Sequence, residues 1–202
     1  MRAKAFYYRE PRVGVQGNAP QNNFRRLIAA PIEPGTFCFY TINFAPESMI
    51  KYPLEFLLAL LNSALCEWYF RLASTNAHAN QYSLRILPCP TFSEAESFAD
   101  KTLTRATLGA VHDGDFDAVL HILQPGLQEP PFSPAVRNTI VNLVNRIIEA
   151  ERARGQISRA ERSALSPEAQ PYQDLIDRLF YAMAGLTVDE AKALEDRLSK
   201  ML

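Results

Sequence analysis

The spacing of apolar positions changes several times along the chain, and each change predicts an element. Residues 4–9, 26–32 and 36–43 are rich in β-branched and aromatic side chains and read as strands. The Pro/Gly/Asn-rich stretch 11–23 and the phrase Glu33-Pro34-Gly35 separate them, and Pro34-Gly35 predicts a hairpin between the second and third. Pro53 suits a first helical position. After it Phe56, Leu57, Leu60, Leu61, Ala64 and Trp68 recur every three or four residues, predicting one buried helix through about Leu72. A polar loop over 73–83 follows, then a short strand over 84–87 halted by Pro88 and Pro90.

The second half reads as helices. Ser93 and Glu96 have capping-box spacing, predicting a helix from there to about Val111, and 115–123 predicts a short one. Residues 124–132, with Pro125, Gly126, Pro130 and Pro131, read as a linker. Ser133-Pro134 caps a helix whose Val136, Ile140, Val144, Ile147 and Ile148 form one apolar stripe, which needs partner helices. Tyr172 to Ala184, stopped by Gly185, and a last helix capped by Thr187 and Glu190 supply them. The predicted class is α+β: a mixed-sheet lobe over 1–123, a linker over 124–132, and a helical hairpin or bundle over 133–202.

Composition narrows the function classes. With 48% apolar residues the chain has enough to bury a core, and its longest apolar run, 54–72, is interrupted by Glu55, Asn62, Ser63, Glu67 and Arg71, so no membrane span is expected. The first residues lack the apolar core of a secretory signal, which makes the cytoplasm the expected location. Cys38, Cys66 and Cys89 are odd in number and widely spaced; they read as reduced, buried small hydrophobes rather than a disulfide framework or a zinc site.

The net charge of −1 conceals an asymmetry. Residues 1–34 hold six bases against Glu10 and Glu33, residues 35–91 hold three of each sign, and residues 92–202 hold 12 bases against 17 acids. The basic end also carries Tyr7, Tyr8, Gln16, Asn18, Gln21, Asn22 and Asn23. Cations hold phosphates, while Arg, Asn and Gln pair with base edges, so the mixture suits a nucleic-acid surface.

Catalytic patterns are absent. There is no Gly-rich phosphate loop, nucleophile elbow, paired helical His or Cys pair at metal spacing. His112-Asp113-Gly114-Asp115-Phe116-Asp117 with His121 concentrates metal-capable groups, but Ala118 and Gln124 stand where a calcium loop counted from Asp113 needs Gly and Glu; a polar turn capping a helix explains the same residues. Glu129-Pro130-Pro131-Phe132 is like the loop with which amino-group methyltransferases hold a target base, but Glu129 is a poor substitute for the amide or short acid. The scattered glycines form no strand-turn-helix for an adenosyl cofactor. Asn62-Ser63 inside an apolar helix is costly unless paired, so the Asn62 amide is expected to bind backbone of an adjacent loop or strand.

Three phrases occur in a meaningful order: Phe56-Leu57-Leu58-Ala59-Leu60-Leu61-Asn62-Ser63-Ala64-Leu65 continuing through Trp68-Tyr69-Phe70; Leu84-Arg85-Ile86-Leu87-Pro88-Cys89-Pro90; and Ile176-Asp177 followed by Phe180-Tyr181 and Gly185-Leu186-Thr187-Val188-Asp189-Glu190. Together they resemble the TaqI-like C-terminal specificity domain of adenine-specific DNA methyltransferases and of fused type IIG restriction-modification enzymes. Ala184 departs from the bulky aromatic usual in that family before Gly-Leu-Thr, and these 202 residues carry no catalytic half. The resemblance implies a target recognition domain for double-stranded DNA, without catalytic residues, cofactor or metal of its own, whose helical region 133–202 docks on a methyltransferase or restriction catalytic subunit or on a missing N-terminal domain.

Base-reading positions in such domains vary, so the candidates come from side-chain chemistry. Asn22, Asn23, Arg25 and Arg26 before the second strand, and Asn76, His78, Asn80 and Gln81 after the apolar helix, are the candidate base contacts. Lys4, Arg9, Arg12, Arg71 and Arg85 are the candidate phosphate contacts. Two alternatives stand beside this reading: a protein-protein interaction module left from a specificity domain, and a small metal-dependent enzyme using His112, Asp113, Asp115 and His121.

Overall fold

Short-range capping and long-range side-chain bonds divide the work of building the chain, which is α+β in a computed structural model describing residues 6–74, 77–155 and 164–201. It forms two compact units, one of residues up to Pro88 together with those from Lys192, the other Cys89–Ala191.

The first unit is built on a three-stranded antiparallel sheet of β1 (Arg12–Gln16), β2 (Ala29–Ile32) and β3 (Ile42–Pro46), in the order β2-β1-β3. Gly14 stands opposite Ala30 on one side and Phe44 on the other. This corrects the strands read from the sequence. The central strand lies inside the stretch taken for a separator, and the described part of 4–9 is a 3-10 turn over Tyr7–Arg9. Glycines make the crowding possible: a Cβ on Gly14 would stand 2.4 Å from the Ile32 Cδ1, and one on Gly17 would stand 2.6 Å from the Thr41 carbonyl oxygen. The Pro34-Gly35 turn forms, with Gly35 at φ +81°, yet it leads to no β2–β3 hairpin because β1 lies between the two strands.

The apolar helix is two helices, α1 (Leu54–Asn62) and α2 (Ala64–Ala73), bent by 62° at Ser63. Pro53 is the cap rather than the first helical residue. Ser63 causes the break: its backbone is extended, its hydroxyl donates to the Leu60 carbonyl at 2.8 Å, and its Oγ accepts the Cys66 N–H at 3.1 Å. The expected strand over 84–87 is also corrected. Asn80 accepts the Ser83 N–H at 2.8 Å and starts a short helix, α3 (Gln81–Arg85).

The second unit contains α4 (Phe98–Asp113), α5 (Phe116–Leu123), α6 (Pro134–Arg154) and α7 (Gln170–Met183). Ser133 caps α6 as expected, and Val136, Ile140 and Val144 of its stripe are buried, along with Leu175, Ile176 and Leu179 of α7. The helix expected from Ser93 begins later, with a capping box of Ser97 and Asp100. Ser93 is held extended instead: its N–H donates to the Phe132 carbonyl at 3.0 Å, and the Phe132 N–H to Thr91 at 2.8 Å. Residues 124–132 therefore belong to this unit, and the chain passes from one unit to the other at Pro88–Cys89 rather than at the expected linker. A last helix, α8 (Val188–Lys200), follows Gly185 at φ +70° and carries the expected Thr187–Glu190 box, with the Thr187 N–H donating to Glu190 at 2.9 Å and the Glu190 N–H to Thr187 Oγ1 at 3.3 Å. All three cysteines are free, but against expectation only Cys66 is buried; Cys38 is half-buried and Cys89 exposed.

Candidate nucleic-acid interface

Residues 17–19, which precede the first segment expected to read bases, lie beside residues 77–79 of the second. The Ala19 N–H donates to the Ala77 carbonyl at 2.8 Å and the Ala79 N–H to the Gly17 carbonyl at 2.9 Å, making an antiparallel bridge between Asn18 and His78. The Asn18 Oδ1 and His78 Nδ1 are 2.9 Å apart. From β3, Asn43 Nδ2 donates to the Ala79 carbonyl at 2.6 Å and ties the bridge to the sheet. Asn18, Asn22, His78, Asn80 and Gln81 are exposed around it, and Asn23 is half-buried. Asn80 is committed in part, since its Oδ1 caps α3.

The cations behave differently from the expectation. Arg26 is buried: its Nε donates to the Ala19 carbonyl at 3.2 Å, its Nη1 to the Ser74 carbonyl, and its guanidinium lies 4.8 Å from the Phe70 ring centre. Burial, then the neighbouring Arg71 charge, lowers its pKa from the usual value, with Glu67 opposing the shift. Arg71, with a side chain only 7% exposed, pairs with Glu67 at 2.6 Å and donates to the Gln21 and Asn23 carbonyls at 3.0 and 2.8 Å. Arg25 Nη2 donates to the Asn62 carbonyl at 2.6 Å. Arg12 is fully buried, 4.7 Å from the Tyr8 ring centre and 5.3 Å from that of Phe44, with Nη2 donating to the Thr36 carbonyl at 2.6 Å. Arg12 and Arg71 therefore hold backbone inside the protein rather than phosphates at its surface, and Arg25 and Arg26 do the same in place of base contact. Arg9 and Arg85 remain exposed, and Lys4 and Asn76 lie outside the described residues.

Glu67 is the residue that sequence reasoning passed over. It is buried on α2, accepts the Arg26 N–H at 2.9 Å and the Leu27 N–H at 2.8 Å, and holds Arg71. A glutamate on an apolar helix, four residues before an arginine, was the available signal, because a buried carboxylate requires partners. The Asn62 amide does what was expected of it. It donates to the Ala29 carbonyl and accepts the Ala29 N–H, both at 3.0 Å. The Ile28 carbonyl points at β1, where it accepts the Gln16 N–H, so Ala29 faces the opposite edge, and Asn62 closes that edge of β2.

No family model, curated protein or solved structure matches the chain. Its chemistry is read from its own residues. Around His112, the acidic turn is a pair of helix ends: Gly114 at φ +74° terminates α4, Asp115 accepts the Ala118 N–H at 3.0 Å, and Asp117 pairs with Arg178 at 2.6 Å. Among the described residues no group of three or more His, Cys, Asp or Glu side chains is placed to hold a metal ion. Among those residues, too, no single helix is long and apolar enough to cross a membrane.

Proposed function

We propose that this chain is a sequence-recognition module for double-stranded DNA, working in the cytoplasm within a restriction-modification or N6-adenine methyltransferase system whose catalytic chemistry comes from another chain or another part of the same protein. The resemblance of three sequence phrases to the TaqI-like specificity domain supplies the system. The observation that carries the reading is the bridge between residues 17–19 and 77–79, which sets Asn18 and His78 side by side at the surface, with exposed Asn22 and Gln81 a few residues further along the two segments to extend this polar rim.

Amide side chains of this kind pair with adenine N6 and N7 in the major groove, and His78 offers one more donor or acceptor. The buried arginines contribute by holding the loops that present these groups, so recognition starts from a preorganised rim. Among the described residues Arg9 and Arg85 are the remaining phosphate candidates, and Lys4 lies outside them. Two phosphate contacts give a slope of log affinity against log salt of about −2, shallower than the full set of five cations would produce.

The test is retention of a random-sequence duplex pool by the purified chain at two salt concentrations, with sequencing of what is retained. Enrichment of a short motif that disappears in Gln81→Ala or Asn22→Ala supports the reading. Absence of a motif at both concentrations overturns recognition by this chain, and tight capture of a catalytic chain without DNA would identify an interaction module instead.

A further inference from the structure

The sheet of the first unit has two outer edges, and they are treated differently. At β2, Asn62 takes up both backbone groups of Ala29. At β3 the Gly17 N–H donates to the Thr41 carbonyl at 2.7 Å and the Glu47 N–H to the Pro11 carbonyl at 3.0 Å. The ladder alternates between these bonds, so Asn43 and Ala45 turn their backbone groups to β1, while Ile42 and Phe44 turn theirs outward. The Ile42 N–H donates to the Phe39 carbonyl at 3.0 Å, but among the described residues no hydrogen bond takes up the Ile42 carbonyl or either backbone group of Phe44.

This open edge lies in a cleft of about 820 Å³. Tyr8 and Phe44, with ring centres 6.0 Å apart, line it on one face of the sheet, and Val13 and Val15, which alternate with Arg12 and Gly14 along β1, line it on the other. Phe39 and Tyr40 also line it, inclined at 43° to each other and exposed by 71% and 87%. Arg85 of α3 is the one charged side chain on the wall among the described residues. An open strand edge among exposed aromatic rings is a surface that proteins leave bare only where something is to cover it.

We propose that the outer edge of β3 is a docking site for an extended segment of another polypeptide, which adds a fourth strand to the sheet and carries an acidic residue to Arg85. Such docking does not depend on DNA recognition. The Phe44 N–H and carbonyl and the Ile42 carbonyl repeat at strand spacing, and the backbone of another strand matches all three. Alternate side chains of that strand face the Tyr8 and Val13 sides of the cleft in turn, which calls for apolar residues there. A second copy paired through its own β3 would present the same wall, whose charge is again Arg85, because a two-fold contact repeats one surface.

The test selects a phage-displayed library of random peptides of about nine residues, long enough to cover the five residues of β3, on the full chain. A recovered peptide is then synthesised and its affinity measured. It carries apolar residues at every second position and one Asp or Glu. N-methylation of its backbone at one alternate set of residues weakens binding at least about tenfold and at the other set far less, because only every second residue of an added strand faces the edge. Arg85→Glu, at an exposed position, weakens binding about fivefold, and exchanging the acid of the peptide for Lys restores it, which also reports that the variant is folded. Recovery of no peptide, apolar residues spaced by three and four, or equal tolerance of both N-methylated sets overturns the added strand. Arg85→Glu binding the original peptide as the parent does overturns the acid-bearing partner.

Discussion

The two units differ in the reach of the bonds that satisfy most of their buried polar groups. In the helical unit, buried hydroxyls have partners within a turn of their own helix: the Leu103 carbonyl lies 3.0 Å from the Thr107 hydroxyl, the Ala135 carbonyl 2.8 Å from that of Thr139, and Ser166 caps Ala169 at 3.2 Å. In the first unit the bonds span the sequence, from Asn62 to Ala29, Glu67 to Arg26 and Leu27, Arg71 to Gln21 and Asn23, and Arg12 to Thr36. A helix supplies partners for its own backbone, whereas an irregular loop must find them elsewhere. Long polar side chains are therefore the skeleton of the loop-bearing unit, and what they hold still is the surface proposed to read DNA.

Removing Glu67 is the strongest way to break that contrast. Glu67→Ala strips the carboxylate from two backbone N–H groups and from Arg71, leaving a buried cation without its partner. It lowers unfolding stability in urea by about 3–5 kcal/mol. A loss below about 1 kcal/mol would show that the loop is held by something else. Asn62→Ala comes next, because it opens the edge of β2 and removes two hydrogen bonds. Its cost is about 1–3 kcal/mol by the same measurement, and a neutral result would mean that water replaces the amide at that edge.

How much was legible in the sequence follows the same division. The caps at Ser133 and Thr187 and the left-handed Gly185 were readable because capping and apolar periodicity involve residues within one turn. Asn62 was readable as a polar residue that an apolar helix must pair. The position of β1 was not, since a strand of Val13, Gly14 and Val15 is defined by the neighbours that crowd its glycine, Ile32 among them. Ser93 has the same local pattern as Ser97, and only Phe132, distant in sequence, decides that it stays extended. At the site, chemistry named the two loops, but charge said nothing about direction. Arg12, Arg26 and Arg71 face carbonyl groups that become neighbours only after folding.

The helical unit offers a gentler test. The Thr107 and Thr139 hydroxyls meet at 2.9 Å between α4 and α6, and because each carries one proton, one of them gives up its own-helix carbonyl to donate to the other. Thr107→Val and Thr139→Val each cost about 1 kcal/mol, and the double replacement costs less than the sum, because removing both members leaves neither hydroxyl without the other. Strict additivity in a double-mutant cycle would mean that the pair is in contact without being coupled, and the helices would then be joined at this point by apolar packing, with Ser133 and Asp100 holding their ends.

The smallest effect separates the local caps from the long-range skeleton by pH. Desolvation pushes the Asp100 carboxyl upward, but hydrogen bonds from Ser133 and Ser97 outweigh it and hold its pKa below the ordinary value; Thr187 does the same for Glu190. A carboxylate whose folded pKa is depressed adds stability that is complete above its unfolded pKa, near about 4, and lost as pH falls through the lower folded value. Stability should thus decline on acidification below about pH 4, and Asp100→Asn should flatten part of that decline while costing below about 1 kcal/mol at neutral pH, as befits an exposed cap. Urea unfolding of parent and variant across that range measures it. If the two curves stay parallel, the acid sensitivity arises away from this cap, and Glu190→Gln, at the other depressed carboxyl, is the next variant to measure.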